Sequence, residues 1–428
     1  MWNYSMKLKH FIITLLAVYP YASMLSTALH AEQVEGSMNV KSIFLPDSIK
    51  CYDLNDNNSP WSWHRTAQTE NLIFFWEKGF GDDTSNPPQL DGHPMAFDLK
   101  NLENRVEYFY HYFRDTLKFT LPDSKANRYK MMVMINYNLD GTAYGGTYDD
   151  FIGALWVAPN RIQDSKLNCL AHELGHCFQL QIPADSVGDA WGGSGFYEMT
   201  SQWMLWRVNP NWLTDENYHF EAFKKLTHKA YLDISNIYHS PYVIEWWAEK
   251  RGLTSIAELY REGKKGDDPV ITYKQKYGLT QAQFNDEMIE CYQHIVDFDY
   301  KHARKETRPY ACTFDTPMKE VGKGVITPEE EFIPEEYGFN AIRLKEAKAG
   351  GKVTADVKGE NLRYALVAVP DNGAPVYGKP TSTGKVSLAL PTNLKAAYLI
   401  VMGAPSEHQQ LDYEGKNRQY PYTVKLKY

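Results

Sequence analysis

The chain has 428 residues, 43% hydrophobic and 14% aromatic, which is ample for a packed core and excludes intrinsic disorder. At that length two or three domains are expected. The formal net charge of −8, with no basic run, argues against nucleic acid as a partner.

Residues 1–31 read as a secretion signal: Lys7, Lys9 and His10 precede an apolar run from Phe11 to Ala28, with small residues for cleavage after Ala28 or Ala31. No later stretch is apolar enough to span a bilayer. The expected location is therefore secreted or periplasmic, with no membrane span left after cleavage. Residues 32–69, rich in Asn, Asp, Ser and Pro, are expected to be irregular. Five cysteines, an odd number, leave at least one unpaired, and Cys169 and Cys177, about 12 Å apart along a helix, are too distant to bridge each other, so no disulfide scaffold is expected.

Asn71 to Lys78 reads as a buried strand, and Leu102, Val106, Phe109, Phe113 and Leu117 form a helical stripe. Lys130 to Asn138 is a second strand. Gly141, Gly145 and Gly146 suggest a flexible loop, and Phe151 to Val157 a third strand. Residues 166–300 read as helical, including helices from Phe196 to Arg207 and from Pro241 to Arg251, the second stopped by Gly252. Thr280 can cap a last long helix bearing Phe284, Met288, Cys291 and Ile295. From about residue 310 short strands and turns alternate: 340–344, 351–357, 364–369, 386–390, 396–402 and 422–426. The pattern predicts an α+β domain over 70–310 and an all-β sandwich, jelly-roll-like, over 311–428. The second segment is expected to fold alone as an accessory domain and is a candidate for carbohydrate contact.

The chemistry concentrates at Ala171-His172-Glu173-Leu174-Gly175-His176. Histidines at i and i+4 share one helix face and can reach a single ion, for which zinc suits imidazole. Glu173 projects beside it and can take a proton from a water there. Glu198, opening the helix from Phe196, is the expected third ligand, with Asp185 and Asp189 as alternatives. A third-histidine subtype is excluded, because Gln179 and Ile182 occupy the positions where it needs glycine and histidine.

With its H-E-x-x-H and a following helical glutamate, the chain resembles the gluzincin metallopeptidases, the thermolysin-like group. It also resembles a branch of secreted bacterial proteins joining such a domain to a C-terminal β-sandwich. The resemblance implies a zincin-like fold, zinc on His172, His176 and Glu198, and Glu173 as base. The thermolysin pattern has aspartate where Gln202 stands here, supporting the first histidine; the amide oxygen of Gln202 can still accept an imidazole N–H. It implies too that the Phe151–Val157 strand presents a sheet edge to substrate, with Gly153 and Ala154 allowing close approach. An oxyanion stabiliser is needed, for which Tyr238, His239 and Tyr242 are the candidates. The expected activity is hydrolysis of a peptide, protein or glycoprotein. Alternatives are a zinc enzyme acting on glycans, or a binding protein with a non-catalytic zinc site. The tryptophans Trp191, Trp203, Trp206, Trp246 and Trp247 are expected to pack in the core rather than to stack on sugars.

Overall fold

The computed structural model describes residues 40–193, 196–410 and 417–428; the segment 1–31, expected to be a secretion signal, lies outside them. Three consecutive apolar stretches make the centre of the first sheet. Strands β2 (Leu72–Trp76), β3 (Met131–Ile135) and β5 (Ile152–Val157) pair in parallel, and β1 (Thr66–Gln68) and β4 (Tyr144–Tyr148) flank them antiparallel, in the order β1-β2-β3-β5-β4. Every residue of β2 and β3 is buried. An unbroken apolar run of this kind requires cover on both faces. One face, with Leu72, Phe74 and Val133, packs into the main core. The other, with Ile73, Phe75, Met132 and Met134, is covered by Ile49, Leu54 and Trp61. The segment expected to be irregular is thus a lid over the sheet, and it also supplies β1 and a short helix, Asp47–Lys50.

Helix α1 (Leu99–His111), capped by the Asp98 side chain, joins β2 to β3 and buries Leu102, Val106 and Phe109. Helix α2 (Asn168–Ala184) follows β5 and lies against it and β4. Then come α3 (Phe196–Val208), α4 (Asn217–Leu226), α5 (Tyr242–Arg251), α6 (Ser255–Glu262), α7 (Pro269–Tyr277) and α8 (Gln281–Ile295). Thr280 and Gln283 form a reciprocal capping box on α8, satisfying two of the amides that a helix start leaves open. Trp191, Trp203, Trp206 and Trp247 are buried, as expected of core residues.

One region differs from the sequence reading. Gly145 and Gly146 sit inside β4 rather than in a loop, and β4 is one of the two sheet edges. A Cβ on Gly145 would lie 2.0 Å from the Glu173 carbonyl oxygen, so only glycine lets the strand press onto α2. β5, expected at the edge, is an inner strand, and a Cβ on its Gly153 would meet Met131 and Cys177. A glycine pair that resembles turn punctuation is here a close strand-to-helix contact. Among the described residues no disulfide forms and all five cysteines are free. No described helix is long and apolar enough to cross a membrane.

The last quarter, from Met318, is mainly β. One sheet runs β11 (Val376–Tyr377), β10 (Leu362–Pro370), β13 (Leu394–Gly403), β8 (Phe339–Arg343); the other runs β12 (Lys385–Ala389), β9 (Lys352–Gly359), β14 (Tyr422–Lys427), β7 (Val325–Pro328), β6 (Met318–Gly322). Val353, Ala355 and Val424 of one sheet share a core with Leu366, Leu399 and Val401 of the other. The opposite face of β10 and β13, with Val367, Val369, Tyr398, Ile400 and Met402, is buried in the main core. Gln293 of α8 donates to the carbonyls of Leu366 and Gly378, and the Tyr292 and Phe339 rings stack 4.1 Å apart. The chain from Lys41 to Tyr428 is therefore one compact unit.

Cutting at residue 315 would expose that second apolar face, at roughly 1.5–3 kcal/mol for each large side chain returned to water. Residues 315–428 alone should aggregate or give a poorly ordered circular dichroism spectrum, and the intact chain should unfold in one calorimetric transition. Two separate transitions would show instead that the sandwich stands alone.

Candidate metal centre and cleft

The i, i+4 spacing on α2 stacks His172 and His176 on one face, and α3 crosses that face so that Glu198 meets both rings. The crossing is close because Gly175 faces Ser201; a Cβ there would come 2.8 Å from the serine oxygen. His172 Nε2 and His176 Nε2 lie 3.0 and 3.2 Å from Glu198 Oε2, and 3.1 Å from each other. Ligands bound tetrahedrally at about 2.0–2.1 Å are about 3.3 Å apart, so the three atoms have the separations of a face of such a site. Together they form a group able to hold a metal ion.

Two glutamines fix the rings. Gln202 donates its amide to the Tyr238 carbonyl at 2.9 Å, which turns its oxygen to His172 Nδ1, 3.1 Å away. Gln179 donates to the Tyr197 carbonyl at 3.0 Å, which turns its oxygen to His176 Nδ1 at 2.9 Å. Each Nδ1–H therefore donates outward and each Nε2 keeps its lone pair facing inward. Two lone pairs and a carboxylate then confront one another, an arrangement that repels itself without a cation between. Were both rings protonated at Nε2 instead, they would donate to Glu198 and hold its carboxyl below its usual range, against the rise that burial causes.

Glu173 lines the cleft beside this triad. Burial pushes its carboxyl up from the ordinary value, against the pull of His172 and His176 and a backbone hydrogen bond from Gly145. A carboxylate with a raised pKa is a better proton acceptor. The two aspartates weighed as third ligands lie elsewhere. Asp185 ends α2 and accepts from the Lys125 amide, and Asp189 lines a different depression beside Arg261.

The triad forms the floor of a cleft of about 690 Å³, whose rim carries the exposed tyrosines Tyr144, Tyr218 and Tyr238. Of the three candidates for stabilising an oxyanion, Tyr238 alone lines it. Its ring stacks on that of His172, with centroids 6.0 Å apart. Burial, with the neighbouring Glu198, raises its hydroxyl pKa, so it stays a donor at neutral pH. Tyr242 is corrected to a core residue: it is fully buried between Trp206, Phe223 and Phe298, because it opens α5 on the helix's inward face. His239 does not line the cleft either. Its Nδ1 lies 2.7 Å from Nδ1 of His219, which itself lines the wall and approaches Gln202 and Glu216. Burial and His219 lower the His239 pKa to about 4, so His239 is a neutral support. Sequence reading did not assign roles to Gln179, His219 and Glu216. Gln179 was legible: it lies three residues after His176, on the same helix face.

No curated protein matches the chain. Among solved structures, the crystal structure of a functionally unknown conserved protein mutant from Bacillus anthracis str. Ames is similar over 76% of this chain and 73% of that one, with 11% identity and a TM-score of 0.35. The model of the Family of unknown function (DUF6055) matches residues 35–428, and the chain belongs to that family.

Proposed function

We propose that this protein is an exported, zinc-dependent peptidase with a zincin-like catalytic fold of gluzincin type. The observation that carries the reading is the triad of inward-facing acceptors, His172 Nε2, His176 Nε2 and Glu198 Oε2, beside the buried Glu173. Two imidazoles and one carboxylate fit zinc, and three protein ligands leave a position open. Bound there, zinc would acidify a water and polarise a carbonyl oxygen. Glu173 takes the proton of the water as its oxygen adds to the peptide carbonyl carbon. The same carboxyl then delivers that proton to the amide nitrogen as the C–N bond breaks, giving a carboxylic acid and an amine. Tyr238 donates its hydroxyl to the oxygen on which negative charge develops. Strand β4, the sheet edge that lies on α2, offers backbone groups that an extended peptide can pair with. The exposed rings of Tyr144, Tyr218 and Tyr238 favour a second reading, in which the same chemistry acts on glycoproteins whose sugars stack on them.

Purified protein should hold about one equivalent of zinc by elemental analysis. His172→Ala, His176→Ala and Glu198→Ala should each lose it, whereas Asp185→Ala should not. Gln179→Ala and Gln202→Ala should stay folded and bind zinc about 10–100-fold more weakly, since each removes the acceptor that orients a ligand. Full occupancy in either histidine variant would contradict the centre.

Glu173→Gln should keep its zinc and lose about 10²–10⁴ in turnover of a peptide cut by the wild type, because the amide cannot accept a proton. Tyr238→Phe should lower kcat with little change in KM, as it removes a donor to the transition state only. Undiminished turnover by zinc-loaded Glu173→Gln would remove the base, and with it the hydrolytic reading.

A further inference from the structure

One charged group at the cleft is left over by this chemistry. Arg161 closes the turn Pro159–Arg161 after β5 and lines the cleft, the one Lys or Arg among the described residues to do so. Its Nε donates to the Gly141 carbonyl, which braces the side chain against the loop leading into β4. Among the described residues no carboxylate pairs with it, although Glu173, Glu198 and Glu216 line the same cleft. Those three are already engaged. Glu198 faces the two histidines, Glu216 accepts from Asn168 and Trp212, and Glu173 accepts from the Gly145 amide. The guanidinium therefore has terminal nitrogens, a planar fork suited to a carboxylate, without a partner among the described residues.

Its position sets which part of a substrate it meets. Arg161 lines the same cleft as Cys169 and the metal triad. Cys169 is one helical turn, about 5 Å, before His172 on α2, a step that about two or three extended residues cover with room to spare. Arg161 lies at the Tyr144 end of β4, where that strand begins. A peptide adding antiparallel to β4, the commoner pairing, runs opposite to the strand and directs its C-terminal half to that end. We propose that Arg161 is a specificity-determining residue that binds a carboxylate of the substrate, within about three residues on the C-terminal side of the scissile bond. The carboxylate is an acidic side chain or the free C-terminus. This deepens the peptidase reading and rests on it for the direction of the chain.

Hydroxamate-capped tripeptides, whose cap fixes the register at the metal, test it by calorimetry on the zinc-loaded full chain. Four probes differ only in Glu or Gln at the third residue and in a free or amidated C-terminus. The wild type should bind at least one carboxylate-bearing probe about tenfold more tightly than the Gln amide, and the preferred probe identifies the source. Arg161→Ala and Arg161→Gln should abolish the difference without changing the affinity for the Gln amide, while Arg161→Lys keeps part of it. Equal affinities for all four probes, no binding of any, or a preference that survives Arg161→Ala would overturn the proposal. Cleavage of a peptide library by the wild type is followed in parallel. Probe discrimination without any cleavage would remove the peptidase reading and leave the carboxylate site standing.

Discussion

The close crossing of α2 and α3 is the contact on which the rest of the site depends. Gly175 sits against Ser201, and that approach lets a carboxylate from one helix reach two imidazoles on the other. The same crossing supplies the supports, since Gln202 comes from α3 and Gln179 from α2, each anchored by a carbonyl that fixes which way its amide points. A larger residue at 175 would separate the carboxylate from the imidazoles and donor from acceptor at once.

A second close contact works from the other side. Gly145 lets edge strand β4 press onto the carbonyl of Glu173, which sets that residue and the sheet edge side by side. Glu173 is held by burial and by the Gly145 amide, and Tyr238 leans over His172 from the loop before α5. The cleft is thus assembled from elements distant in sequence, each tied to α2. The β-sandwich contributes to that rigidity by covering α8 rather than by reaching the cleft.

Much of this was legible in the chain. The H-E-x-x-H spacing follows from helix geometry alone, and Glu198 was marked by its place at the start of the next helix. The strands at 72–76 and 131–135 and the capped helix from Thr280 declared themselves by local pattern. What was not legible depends on tertiary approach. Gly145 and Gly146 carry the same local signal whether they turn the chain or permit contact, so the edge strand was missed. Tyr238, His239 and Tyr242 fall within one short stretch, and only the packing of α5 shows that Tyr242 faces the core while Tyr238 faces the cleft. The lid formed by Ile49, Leu54 and Trp61 was hidden because its apolar residues are too sparse for any periodicity. The buried second face of β10 and β13 was hidden for a different reason: all-apolar strands look alike whether one sheet or a helix covers them.

The central claim is that His172, His176 and Glu198 hold a metal between them. X-ray absorption at the zinc edge of the zinc-loaded protein tests it most directly, because it reads the ligand atoms without requiring a substrate. The account predicts only nitrogen and oxygen neighbours at about 2.0–2.1 Å, with the outer-shell scattering of two imidazoles. A sulfur shell at about 2.3 Å, which would draw Cys169 into the site, or the scattering of fewer than two imidazoles, would contradict it.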